Sequence, residues 1–481
     1  MMRRAQILCG AAVTMATIPF LASCRVGPNY RPPELPKDAE APLVSINSAL
    51  ETPTAPPDAW WRLYDDRRLD DLVQEAFNAN RDLAAADANF AAARAAAAAV
   101  HANRYPSTEA VAGAVRGRDP VTDEILELTG RPPQTVWLYE DLFEVTYEVD
   151  LFGRIHRAIE AANANAASLA AYRDSVRILV AAETARSYAA ICAIGEELNV
   201  AHHSLDVVTH EAEITNHKFE AGAGSQFDVT RARALVAQVG STIPQLEGAR
   251  KAALFELTAL LGRTPAHAPK ELEGCVTPPK ISALIPVGDG RTLISRRPDV
   301  RQAERRLAAA TAQIGIATAD LYPSIRLTGF YGAAGTQPSQ LTNSVGLVWG
   351  LGPSINWTFP NQAGPRARIA QARASQAATL ASFDSVVLTA LKETEQALSQ
   401  YSAALDQRQG LASAQGQIHR SFDIAHAGYV AGSLSNLDLL TTEQSLVALD
   451  AAVAASDATL IQLQIAVFKA LGGGWHDEGR G

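Results

Sequence analysis

Three histidines, His203, His210 and His217, recur at seven-residue intervals, which places their imidazoles along one face of a helix. Metal binding is the chemistry such a row suggests. Two helical turns separate neighbours by ~10.5 Å, however, too far for one ion to bridge. Glu213 and His217, four apart, would hold a metal only weakly, and a solvated helix face is the better reading. Thiol chemistry rests on Cys9, Cys24, Cys192 and Cys275. Cys192 and Cys275 lack the tight spacing of a metal site or a disulfide framework; a bridge between them is possible, but the reading goes against it. Glu144, Glu148 and Asp150 share one parity in an alternating segment, so they fall on one strand face. That face would favour cations, or simply be solvated. No phosphate-cradling glycine loop, nucleophile elbow or zinc spacing occurs, and the carboxylates are otherwise scattered. The expectation is a protein that is not an enzyme and needs no cofactor or metal.

The elements that must carry these residues begin with a leader. Arg3 and Arg4 precede an apolar stretch from Ile7 to Phe20 and then Leu21-Ala22-Ser23-Cys24. This is a basic region, a short apolar region and a small-residue cleavage site, too short to span a bilayer. Its ending resembles a bacterial lipoprotein signal, which implies a leader of residues 1–23 and acylation of Cys24 as the only covalent addition. A lipid chain contributes ~0.8 kcal/mol per buried methylene, enough to anchor without spanning. Losing Arg3 and Arg4 takes the formal charge from −9 to −11. An acidic chain without a basic patch argues against nucleic acid as a partner. After the leader no run of ~20 apolar residues stands out, so no membrane-crossing helix is expected.

The chain is duplicated. An Ala-rich helical run stops at Arg104-Tyr105-Pro106-Ser107 and again at Leu321-Tyr322-Pro323-Ser324, and each time alternating residues follow. Tyr105 and Tyr322 are 217 positions apart. Phe219-Glu220-Ala221-Gly222 matches Tyr429-Val430-Ala431-Gly432, and Leu261-Gly262 matches Leu471-Gly472, both at a shift of 210. Each half therefore reads helix, strand, loop, strand, very long helix, Gly turn, helix. The expected division is residues 24–68 as anchor and Pro-rich strap, 69–290 and 291–472 as the two repeats, and 473–481 as a tail. Trp60-Trp61 in the strap reads as a packing plug.

Four strands per chain are expected at Ser107–Gly117, Phe143–Leu151, Ser324–Gly332 and Val345–Phe359, the loop Arg118–Tyr139 being long and mobile or constricting. Phe143, Val145, Tyr147, Val149 and Leu151 alternate with Glu144, Thr146, Glu148 and Asp150; Val345, Leu347, Trp349, Leu351 and Ile355 alternate with small or polar residues, Val348 being the one apolar intruder. A half-buried sheet and an outer-membrane barrel both give this pattern. The lipoprotein-like leader and the long helices favour the barrel. Four strands cannot close alone, since an open edge in lipid leaves backbone groups unpaired, so two, three or four copies would have to share one barrel. Proline-free runs from about Arg154 to Phe219 and from about Arg366 to Tyr429 predict helices of ~100 Å. Ile155, Ile159, Ala162, Ala166, Leu169 and Val176 recur near the 3.5-residue period of a coiled-coil seam. The first helix is expected from Leu69 to about Asn103.

Several stretches taken in order resemble one family. They are Cys24-Arg25-Val26-Gly27-Pro28-Asn29-Tyr30, Trp60-Trp61, Ser295-Arg296-Arg297-Pro298-Asp299-Val300-Arg301 with Ala303-Glu304-Arg305, Tyr322-Pro323-Ser324, and Gly352-Pro353-Ser354-Ile355-Asn356-Trp357. The resemblance is to the outer membrane factor, or TolC-like, family in its NodT-type lipoprotein branch, and it covers essentially the whole chain after the leader. It implies a mainly α fold with membrane β: a homotrimer whose twelve strands close one outer-membrane barrel, continued by a periplasmic α-helical barrel. It implies a lipid-anchored outer-membrane duct for drugs or other small molecules, working with a periplasmic adaptor and an inner-membrane RND transporter. By the same resemblance the periplasmic gate would be Leu437, Asp438 and Thr441. Thr441 stands where the family has an acid, which puts a second polar ring in doubt. Asp438 reads equally well as a carboxylate favouring a helix N-terminus. Gly222 and Gly432 would meet the adaptor, and Glu144, Glu148 and Asp150 would face the barrel lumen. A type I protein secretion duct and a periplasmic coiled-coil structural lipoprotein are the alternatives.

Overall fold

The computed structural model describes residues 25–45, 51–52, 54, 56–118, 120–281 and 285–473. The leader and Cys24, and with it the acylation site, lie outside them. In chain order the elements are β1 (Glu51–Thr52), α1 (Arg67–Ala79), α2 (Arg81–Ala102), β2 (Ser107–Gly117), α3 (Pro120–Leu128), β3 (Val136–Val149), α4 (Arg154–Glu220), α5 (Gln226–Gly240), α6 (Thr242–Leu260), β4 (Ile285–Pro286), α7 (Gly290–Arg296), α8 (Pro298–Ala319), β5 (Ser324–Gly335), β6 (Leu347–Asn356), α9 (Ala363–Val430) and α10 (Asn436–Ala470). The chain divides into two compact units. One holds residues 90–168 and 303–383 with the strap to Pro33; the other holds 34–89, 169–302 and 384–481. Each unit thus gathers matching pieces of both halves, as a duplicated chain requires.

In the first unit β2, β3, β5 and β6 form one antiparallel sheet in that order. Glu144 stands opposite Glu109 on one side and Phe330 on the other, and Phe330 stands opposite Gly350. β3 starts at Val136, seven residues before the expected start, and the loop ahead of it folds into α3. Pro132 and Pro133 masked the beginning of the strand in the sequence, because proline punctuates both loops and strand ends. Tyr322, at the helix-to-strand junction, stacks on Phe152 with ring centroids 4.5 Å apart. The strap is clamped here. Gly27, at φ +85°, passes so close to α8 that a Cβ would lie 2.5 Å from the Cα of Gly315. Arg157, 2% exposed, donates to the carbonyls of Val26 and Gly27, to Asn29 Oδ1 at 2.8 Å and to Glu160 Oε2 at 2.7 Å. Tyr30 donates to Glu304 Oε1 at 2.8 Å.

The second unit is helical, with one main core. Trp60 is fully buried and stacks on Phe468 at 4.9 Å, while the Trp61 indole donates to Asp70 at 2.8 Å. The pair is a packing plug, as expected. Ile191, Leu257 and Leu398 are sealed in the same core. The first helix is not continuous. Asn80, with extended backbone, ends α1; its side chain accepts from Leu83 N, capping α2, and donates to Leu260 O. An Asn competes with the helical backbone for hydrogen bonds, and here the competition wins. Residues 226–260 divide into α5 and α6 at Ser241, shortly before Pro244, whereas α10 runs unbroken for 35 residues. Arg297, from the Ser295–Arg301 motif, donates to Asp299, Glu393 and Ala470 O.

Two expectations are corrected. Cys192 and Cys275, 83 residues apart, form a disulfide. The connector bearing Cys275 lies directly on α4, where a Cβ on Gly195 would meet the Cys275 carbonyl at 2.1 Å, and Arg250 donates to that carbonyl at 2.7 Å. Glycine and arginine together bring the connector within bonding reach of Cys192, a tertiary fact that spacing does not encode. Second, α4 and α10 do contain stretches long and apolar enough to cross a membrane by composition. Abundant alanine produces this; in α4 most of the stretch is buried inside the protein.

Candidate functional site

Strand pairing fixes which side chains share a face, because directly opposed residues of antiparallel strands point the same way. On one face of the sheet Leu347, Trp349, Leu351 and Ile355 of β6 join Leu327 and Tyr331 of β5 and Phe143, Val145 and Tyr147 of β3. Trp349 is 72% exposed, Leu351 73% and Ile355 69%. Large apolar side chains this exposed on a folded sheet mark a surface that meets something other than water. The opposite face carries Glu109, Glu140, Glu144, Glu148, Thr146, Arg326, Thr328 and Ser354. Val111, Val115, Leu138, Leu142 and Val348 share this largely polar face with one aromatic, Phe330, and Gly350 opposite leaves the room its ring fills. Among the described residues no further strand pairs with β2 or β6, so both edges of the sheet are open.

The three expected lumen carboxylates separate. Glu144 and Glu148 lie on the polar face. Glu148 is tied to Arg154 at 2.6 Å, with Arg326 at 3.7 Å. Asp150 lies one residue beyond β3, and its carboxylate accepts from the N–H groups of Ile155 and His156 at the start of α4. The first-turn donors of a helix need acceptors, and Asp150 supplies them. Glu109, Glu140 and Arg326 were missed as members of the polar face; the alternation of β2, β3 and β5 carries that signal once the register is known.

The ends of the long helices are built alike. Gly222 at φ +75° and Gly432 at φ +74° take the left-handed conformation that closes α4 and α9. A Cβ at either would meet nothing, so backbone conformation alone explains the glycine. Three residues on, Ser225 and Ser435 cap the returning helices α5 and α10. Each accepts from the N–H of Asp228 or Asp438, whose carboxylates accept from the serine hydroxyls at 2.7 and 2.6 Å. This reciprocal box is readable in the sequence as Ser-x-x-Asp, and it is the role the structure gives Asp438. Leu437 is half exposed, and the Thr441 hydroxyl donates to the carbonyls of Leu437 and Asp438. Leu439 and Leu440 of the same turn point inward. Leu440 joins Val208, Ala232, Leu235 and Val239; Leu439 joins Ala425 and Tyr429. Asn436 donates to Thr215 Oγ1 at 3.1 Å.

A cluster the sequence reading did not single out lies behind this turn. Glu443 of α10 is fully buried, and among the described residues neither carboxylate oxygen has a hydrogen-bond partner. Glu211 of α4 is 4% exposed, and His426 Nδ1 of α9 stands 2.8 Å from its Oε1. Burial first, and then the neighbouring Glu211, push the Glu443 carboxyl up to about 8. The row His203, His210 and His217 brings no metal-ligand group together among the described residues.

Residues 72–263 and 291–473 match the family model described as outer membrane efflux protein. Nodulation protein T of Rhizobium leguminosarum bv. viciae is 28% identical over 461 residues, covering 96% of this chain and 93% of that protein. The toluene efflux pump outer membrane protein TtgC of Pseudomonas putida is 28% identical over 465 residues, covering 95% and 94%. The solved structure of the outer-membrane channel OprN superposes with a TM-score of 0.87 at 32% identity, covering 94% of this chain and all of that one.

Proposed function

The chain belongs to the outer membrane efflux protein family, and from that premise we propose that it is the outer-membrane duct of a tripartite efflux pump, a passive exit for drugs or other small molecules that performs no catalysis. The observation that carries this reading is the sheet: strands of 10–14 residues, one face exposing Trp349, Leu351 and Ile355, the other polar, and both edges open. Tilted strands of about 9–11 residues suffice to cross a bilayer. An apolar outer face and a polar inner one is what a water-filled barrel needs. Closing it requires other copies of the chain, and three give twelve strands. Glu144 and Glu148 then line the lumen with Glu109 and Glu140.

Acylated Cys24 anchors the chain to the same membrane, and the strap clamped by Arg157 transmits that anchorage. The tips at Gly222 and Gly432 are exposed turns of matched geometry suited to a periplasmic adaptor, through which an inner-membrane RND transporter delivers cargo. Leu437, Asp438 and Thr441 form the constriction, with one acidic ring from Asp438 and a hydroxyl level at Thr441. The test is reconstitution. Purified protein in planar bilayers should give discrete conductance steps, and expression with a cognate pump should lower drug accumulation in cells lacking their own outer-membrane channel. A protein that inserts but neither conducts nor reduces accumulation would exclude the duct.

A further inference from the structure

Glu443 sits two turns into α10, directly behind the constriction, in a setting that costs free energy unless something compensates. A fully buried carboxylate with no hydrogen-bond donor is tolerated only in its neutral form. Among the described residues no element packed around it supplies a fixed cation. Glu211 faces it from α4; on the same helix Lys218 is two turns away and donates instead to the Tyr429 carbonyl at 2.7 Å. α9 contributes His426, which stands against Glu211. The buried face of α5 is apolar, with Val229, Ala232, Leu235 and Val239, and its Arg233 reaches Asn216 on the exposed side. On α10 itself the buried neighbours are Leu439, Leu440 and Leu446, and the next acid, Asp450, is engaged by Gln415 and His419.

The first two turns of α10 are therefore held by Leu439, Leu440 and the Asn436–Thr215 hydrogen bond, with Glu443 enclosed behind them. We propose that Glu443, facing Glu211, is a proton-operated latch: while Glu443 holds a proton the start of α10 stays seated, and loss of that proton places an uncompensated negative charge beside Glu211 in the buried interior and drives those turns off α4. The residues that would swing with them are Leu437, Asp438 and Thr441. In this respect the inference rests on the gate reading above, although the latch itself does not. With Glu443 pushed up to about 8 from an ordinary 4.5, the latch is fully seated in acid, loosens progressively as pH rises towards 8 and is loosest above it.

Hydrogen exchange on the full-length protein in detergent, read on peptides covering residues 436–446 and corrected for the intrinsic pH dependence of exchange, tests this. Between pH 6 and pH 9.5 protection there should fall at least about ten-fold while peptides from the sheet hold steady. Glu443→Gln, nearly isosteric and never charged, should abolish the fall. Glu211→Gln removes only the neighbouring charge and should shift the transition to lower pH without removing it. Protection that does not change with pH in the wild type, or a fall that persists unchanged in Glu443→Gln, overturns the latch. Single-channel recordings over the same pH range separate the two readings. Exchange that responds to pH while conductance does not leaves the latch standing and removes Leu437, Asp438 and Thr441 from the gate.

Discussion

Arg157 shows how one residue can explain a run of sequence. Residues 26–30 read as a motif without an evident purpose until the guanidinium is placed among the carbonyls of Val26 and Gly27 and the Asn29 amide oxygen. A buried cation with this many acceptors is favourable only while all remain, so removing it leaves carbonyls without donors. Arg157→Met should lower stability by ~3 kcal/mol and Asn29→Ala by ~1 kcal/mol, seen as shifts of the thermal midpoint in detergent. Glu443 gives the opposite case, a group whose removal helps. Its folded carboxyl titrates near 8 against an ordinary value of 4.5. Between those values the folded chain holds a proton that the unfolded chain has released, so stability falls as pH rises through the window. Denaturation midpoints should therefore decline from pH 5 to pH 9. Glu443→Gln should flatten that decline, with a gain of at most ~5 kcal/mol at the alkaline end.

Among the elements, the two tip turns offer a comparison made by the duplication itself. Asp228 and Asp438 make the same capping box with Ser225 and Ser435, so Asp228→Ala and Asp438→Ala should cost the same, ~1 kcal/mol each. A gate role for Asp438 predicts in addition that only its replacement alters cation selectivity in bilayer recordings. Equal electrical effects from both would reduce Asp438 to a cap. Cys192→Ser with Cys275→Ser should destabilise by ~2–4 kcal/mol, and reductant should reproduce the loss in the wild type. What the sequence revealed follows from whether a signal is local. Proline and glycine punctuation, strand alternation and proline-free runs are local, and they located the duplication, four strands and both long helices, with the start of β3 seven residues out. Asn80 is an ordinary polar residue until Leu260 supplies its acceptor. The Cys192–Cys275 bond depends on how a connector lies on a helix. Glu211 and Glu443 occupy helical positions where a glutamate ordinarily faces solvent, and only the packing of three helices reveals that they do not.

At the scale of the whole molecule, the open edges of the sheet decide what the protein must be. β2 and β6 leave a row of backbone donors and acceptors without partners among the described residues, and on a face carrying Trp349 and Leu351 water does not satisfy them once lipid surrounds the sheet. Edge pairing with an identical chain is head-to-tail, β6 of one copy against β2 of the next, and such contacts close only if the rotation returns to its start. Two copies give eight strands, three give twelve and four sixteen, all within the range of known barrels. The likeness to outer-membrane channels favours three. Protein extracted from membranes in mild detergent should therefore have a protein mass of about 150 kDa, three times the 51.1 kDa chain, independent of dilution over the working range. A mass near 100 or 200 kDa would keep the shared barrel but change its bore, and with it the cargo. A monomer in every mild detergent would leave a lipid-facing sheet with two unsatisfied edges, and the duct would have to be abandoned.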